Sequence, residues 1–160
     1  MMTNNIKTID NNQGQILNIA GGEYRIIISG KETNGTYAII EMTVPVGAGP
    51  VPHSHKDFEE TFYVLEGELT FTSENGTYLA QKGATVSIPK GGLIHNFKNL
   101  SNQAAKLLCT VIPAGLDDYF VELNELLNSN KNKDPNLKSK IQLISEKYGQ
   151  TLYSANYWDL

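Results

Sequence analysis

Between residues 15 and 112 the chain reads as short apolar runs broken by turn residues. The runs predict strands over residues 15–20, 24–29, 36–44, 60–65, 68–73, 77–80, 85–88, 94–98 and 106–112. Gly21-Gly22, Asn34-Gly35, Asn75-Gly76 and Lys82-Gly83 punctuate them as tight turns do. Asn75-Gly76, between two strand-like runs, is the strongest hairpin signal. Short strands at this spacing predict an all-β antiparallel sandwich or barrel.

The pattern changes after Pro113. Leu116, Tyr119, Phe120, Leu123 and Leu127 fall on one face of a predicted helix over residues 117–128, with Asp117 and Asp118 at its N-terminal end. A polar linker follows, from Ser129 to Lys133. Asp134 then predicts a second helix start with Pro135 at its first position, and Gly149 predicts its end. The apolar stripe of that helix is Leu137, Ile141, Ile144 and Tyr148. Two short helices with one apolar face each suggest a covering for the barrel rather than a second domain. The expected organisation is an N-terminal segment (1–14), a barrel (15–113) and a helical extension packed on it (114–160).

Composition narrows the partners. A net charge of −4 and a single arginine, Arg25, argue against a nucleic-acid surface, which needs clustered basic residues. No apolar run is long enough to span a bilayer, and residues 1–10 lack the apolar stretch of a signal peptide. Cys109 is the only cysteine, so an internal disulfide is impossible, and its place in an apolar run predicts a buried, inert thiol. A cytoplasmic protein is expected.

The three histidines carry the chemistry. His53 and His55 form a His-x-His pair, and side chains two apart on a strand point to one face. In the run from Glu60 to Leu65, alternation places Glu60 with Phe62 and Val64, taken as the inner face, and turns Glu59 outward. His95, with Phe97 and Asn99 on its face, comes from a later strand. Three imidazoles and a carboxylate predict a site for one divalent transition metal per chain: Fe, Mn, Ni, Co, Cu or Zn. Phe62, Phe71 and Phe97 are core by default, and Asn99 suits a turn or supporting role.

These residues closely resemble the two motifs of the cupin superfamily. Gly47, His53, His55, Glu60 and Gly67 fit the first with every spacing satisfied. Gly83, Pro89, Gly91, His95 and Asn99 fit the second with one extra residue before His95, and Gly92 stands where the usual glycine would. The tail is similar to that of single-domain bacterial cupins described as quercetin-dioxygenase-like. The resemblance implies a small jelly-roll barrel with His53, His55, Glu60 and His95 as metal ligands.

Two functions are compatible with it. One is a metal-dependent dioxygenase acting on a small phenolic or enolic substrate, with Glu60 as ligand or catalytic base. The other is a non-catalytic metal-binding or small-ligand sensory module, because no acid–base pair is evident beyond the ligands. Sugar-phosphate and oxalate chemistry are disfavoured by the scarcity of arginine. The expected partners are a small molecule and a second copy of the chain. The homodimer expectation rests on Tyr24, Ile26 and Ile28 as candidates for an exposed apolar edge.

Overall fold

A computed structural model describes residues 4–129 and 133–159. The linker expected between the two helices falls largely on residues 130–132, outside the described residues. Among the described residues, eleven strands form two antiparallel sheets. The first sheet contains β1 (Gln15–Ile19), β2 (Gly22–Ile28), β3 (Ala38–Val44), β5 (Glu59–Glu66), β8 (Thr85–Ile88) and β10 (Ala105–Ile112), in the order β1-β2-β3-β10-β5-β8. The second contains β4 (His53–His55), β6 (Glu68–Ser73), β7 (Gly76–Gln81), β9 (His95–Lys98) and β11 (Gln150–Leu152), in the order β11-β4-β9-β6-β7. The predicted all-β barrel is therefore present, as a two-sheet jelly roll.

Alternation drives the assembly. Ala38, Ile40, Met42 and Val44 of β3 are buried while the residues between them are less so, and β10 repeats the pattern with Ala105, Leu107, Cys109 and Val111. A side chain buried this completely contributes roughly 1.5–3 kcal/mol through apolar transfer. The sheets meet through Phe62, Phe71 and Phe97, whose ring centroids lie 5.4–5.6 Å apart. Cys109 is free and buried, and desolvation raises its thiol pKa well above the ordinary range. It is an inert thiol at neutral pH.

The hairpin at Asn75-Gly76 forms with the turn one residue earlier than the dipeptide suggests. Ser73 pairs with Gly76, leaving Glu74 and Asn75 as the loop. Asn99, fully buried, has a supporting role. Its side chain donates to the carbonyls of Val44 and Gln103 and accepts from Ser101, tying two loops beneath the barrel's end.

After β10 the chain forms α1 (Leu116–Ser129) and α2 (Leu137–Lys147). Leu116, Tyr119, Phe120 and Leu123 of the predicted stripe are buried in the same core as the barrel residues, and Leu127 is half-buried. Asp117 is buried too. One carboxylate oxygen accepts from Gly30 N–H (2.7 Å) and the other from Gly115 N–H (3.0 Å), fastening the helix start to the β2–β3 loop. The second helix starts later than its sequence suggests. Asp134 accepts from Asn136 N–H at 2.8 Å in a turn, and helix begins only at Leu137, with Asn136 at the N-cap. Its stripe is only half-buried, and its one buried residue is Ser145.

Two expectations change. Gln150–Leu152 forms β11 against β4, so the tail re-enters the second sheet instead of remaining wholly helical. Moreover, β2 is not an edge. It lies between β1 and β3, Ile26 is buried, and Tyr24 packs edge-on against Phe120 at 4.9 Å. The edges of this sheet are β1 and β8; in β1 Ile16 is exposed, while the Asn18 N–H and carbonyl are bonded by the Asn124 and Asn128 side chains of α1.

Candidate metal centre

Strand parity brings the four candidate residues together. β4 is only three residues long, yet it carries both His53 and His55, and its His53 pairs with His95 of β9 across the sheet. In β5, Glu60, Phe62 and Val64 are buried and Glu59 is exposed, as alternation requires. His53 (8% exposed), His55 (1%), Glu60 (3%) and His95 (2%) offer ligand atoms that all lie within 4.8 Å of one another.

The extra residue before His95 is absorbed in the turn. Gly91 and Gly92 both adopt positive φ (114° and 89°), a conformation costly for any other residue. Their N–H groups donate to the carbonyls of Lys56 and His55, at 3.0 and 3.2 Å. The longer turn is thus tied to the segment that carries the His-x-His pair, and His95 keeps its inward face.

Each ring is fixed by a backbone carbonyl. Nδ1 of His53 lies 2.9 Å from Val51 O, that of His55 2.8 Å from Phe58 O, and that of His95 2.9 Å from Leu93 O. A carbonyl only accepts, so each Nδ1 carries the proton and each Nε2 of a neutral ring presents a lone pair. This is the tautomer and orientation a metal-ligating histidine needs. His55 also stacks on Phe58 at 4.2 Å.

The lone pairs converge on Glu60. Its Oε2 lies 2.9 Å from His55 Nε2 and 3.6 Å from His95 Nε2. His95 Nε2 is buried with no hydrogen-bond partner. Burial would raise the Glu60 pKa, but the adjacent His55 and His95 side chains, together with the charge that His55 and His53 carry when protonated, outweigh it and hold the carboxyl at about 2. Burial, reinforced by His95, lowers His53 to about 4, so its ring is neutral at pH 7. An ionised carboxylate facing imidazole lone pairs in a buried site requires a cation at their centre, either a proton or a metal ion. The buried His53, His55, Glu60 and His95 cluster fits a transition metal in donor type and geometry. The Cys109 thiol, 3.8 Å from Glu60 Oε1, is the remaining contact to that carboxylate.

The cluster opens onto a cavity of about 270 Å³, into which His53 and Glu60 face. Its other walls are mostly apolar: Met42, Phe62 and Phe97 from the barrel, and Leu116, Tyr119, Phe120 and Leu123 from α1. The first helix therefore forms part of the cavity wall. No lysine or arginine among the described residues lines the cavity. Arg25 pairs with Glu41 at 3.3 Å and donates to Gln13 O at 2.9 Å instead. Tyr24 faces the cavity as well, and burial, aided by nearby Cys109, raises its phenol pKa so that it stays protonated. Sequence reasoning missed Gln150 and Leu152, which complete the wall from β11. A three-residue strand after a helix carries no periodicity to announce it.

Comparison with known proteins agrees with this geometry. Residues 40–111 match the cupin domain family. An uncharacterized protein of Methanocaldococcus jannaschii is 36% identical over 76 residues, which are 48% of this chain and 60% of that protein. Quercetin 2,3-dioxygenase of Bacillus subtilis is 24% identical over 117 residues, 73% of this chain but 34% of the enzyme. The chain thus spans 60% and 34% of the lengths of these curated relatives. KdgF from Halomonas sp. shares the fold with a TM-score of 0.62 at 16% identity, covering 71% of this chain and 99% of its own. Residues 40–111 are thus similar to the cupin domain family, and the two-sheet topology is shared with a solved structure of that fold.

Proposed function

We propose that the protein is a metal-dependent dioxygenase of a small, largely apolar phenolic or enolic substrate, with one divalent transition metal held by His53, His55, Glu60 and His95. The observation that carries this reading is the convergence of three carbonyl-fixed imidazoles and an ionised carboxylate on the wall of an apolar cavity. When bound, the ion supplies Lewis-acid and redox chemistry to an oxygen-bearing substrate and O₂. The chain's own residues do the rest. The histidines present Nε2, α1 keeps bulk water from the cavity, and the lack of cationic lining selects against phosphates and small dicarboxylates. Glu60, held at about 2, suits ligation better than proton abstraction, for which a base is best matched to the working pH. Its role as a base is the finer part of the proposal.

A second reading has its own support. Apart from His53 and Glu60, the titratable groups lining the cavity are Tyr24 and Tyr119, both kept protonated by burial. A cavity so short of acid–base groups also suits a metal-dependent binding or sensory module. Oxygen-uptake assays of metal-loaded protein against flavonols, catechols and diketones separate the two. Uptake that disappears in His53→Ala supports the enzyme. Tight ligand binding without uptake supports the module.

A cytoplasmic homodimer belongs to the same proposal, supported by the buried free thiol of Cys109 and the exposed Ile16 on edge strand β1. Light scattering is expected to give twice 17.7 kDa at micromolar concentration, and a mass near 17.7 kDa would refute the dimer. Among the described residues no helix is long and apolar enough to cross a membrane.

A further inference from the structure

Gln150 lies in the cavity without a task in metal binding. It opens β11 directly opposite His55 of β4. Residues directly opposed in an antiparallel pair share a face, and His55 faces inward, so Gln150 does too. It lines the same cavity as His53 and Glu60. It is only 6% exposed, and its Nε2 has no hydrogen-bond partner.

Folding does not explain that placement. A buried amide N–H without a partner is destabilising, whereas an apolar side chain of the same length would suit a wall that also holds Phe62, Leu116 and Leu152. Sites shaped for a ligand hold such unpaired groups ready, because the ligand supplies the missing partner. A carboxamide is uncharged and offers two N–H donors. Its complement is therefore a carbonyl, phenol or enolate oxygen, which matches the absence of lysine and arginine from the lining among the described residues.

We propose that the Gln150 carboxamide is the ligand-positioning group of this site. It donates a hydrogen bond from Nε2 to one oxygen of a small apolar compound whose other oxygen lies at the His53, His55, Glu60 and His95 cluster. The inference rests on the metal reading above and adds a substrate class to it: compounds with two nearby oxygens on an apolar frame, such as catechols. It also makes β11 part of the site, so the C-terminal segment selects the ligand as well as covering it.

The test uses Co(II)-loaded full-length protein titrated with 4-nitrocatechol and followed by absorbance, for wild type, Gln150→Leu and Gln150→Glu. Gln150→Leu removes the donor at similar size, and Gln150→Glu replaces it with an acceptor. Both variants are expected to keep one Co(II) per chain and to bind the probe about tenfold or more weakly. The ligand-free Gln150→Leu protein is expected to melt at or above the wild-type temperature, because an orphan polar group has been removed. Probe binding within twofold of wild type in both variants would overturn the proposal. So would a Gln150→Leu protein that melts lower yet binds the probe normally, since the amide would then serve packing. Wild-type protein that takes up Co(II) but ignores the probe would overturn this role for Gln150 and leave the metal site standing. Failure to take up Co(II) would overturn the metal reading itself.

Discussion

The two sides of the cavity are built on opposite plans. On the barrel side, His53, His55, Glu60 and His95 are polar and each imidazole is held by a backbone carbonyl. On the tail side, Leu116, Phe120 and Leu123 of α1 are apolar; of the polar side chains there, Tyr119 has its hydroxyl beside Ser145 Oγ, and Gln150 has an unpartnered amide nitrogen. The first wall is saturated with constraints, as a site must be to hold ligand atoms around an ion. The second is shaped mainly by apolar packing, as a surface that selects a ligand by shape can be. A common barrel can therefore keep one metal chemistry while a differing tail changes what reaches it.

The largest break in that comparison is His53→Ala combined with His55→Ala. Metal affinity is expected to fall by more than about 100-fold, beyond the loss typical of residues that only support a ligand. Circular dichroism should still report a folded barrel, and elemental analysis showing a full complement of metal would refute the assignment. On the tail side, Phe120→Ala is expected to cost about 3 kcal/mol of stability and to weaken binding of apolar ligands. Its metal content should match wild type. Loss of metal in that variant would erase the distinction between the walls. Deleting everything after Pro113 is a poorer test, because it also strips β11 from the sheet beside β4.

A smaller effect sharpens the barrel side. In metal-free protein, folding lowers His53 from 6.5 to about 4 and Glu60 from 4.5 to about 2. The unfolded chain therefore takes up protons that the native site refuses, first at His53 below pH 6.5 and then at Glu60 below pH 4.5. Stability is expected to fall steadily as pH drops from about 6.5 toward 2, read as the melting temperature of chelator-treated protein. His53→Phe should flatten the upper part of that slope. A melting temperature that rises on acidification from pH 6.5 to 4.5 would contradict the buried, neutral His53.

Much of the barrel wall is legible in sequence because its logic is local. Alternation in β5 separates Glu60 from Glu59, and the His-x-His spacing places two rings on one face. The short β4 lies outside the predicted strands, because no strand pattern surrounds the His-x-His pair; the spacing says only that both rings share a face in an extended segment. The tail wall is less legible. The stripe of α1 shows that a face must be buried, but only the tertiary packing shows that it lines the cavity beside His53 and Glu60. The pairing of β11 with β4 joins segments distant in the chain, and Gln150-Thr151-Leu152 has no period to reveal it. The apparent edge at Tyr24 and Ile26 misled for a related reason. Apolar residues signal that something packs on them, and the sequence does not say that the partner is Phe120.

The most direct test of the central claim is titration of chelator-stripped protein with Co(II), following its visible d–d absorption alongside elemental analysis. One Co(II) per chain is expected, with bands that shift or vanish in Glu60→Gln and stay unchanged in Glu59→Gln. No stoichiometric uptake, or a spectrum altered by Glu59→Gln and untouched by Glu60→Gln, would contradict a metal centre built on His53, His55, Glu60 and His95.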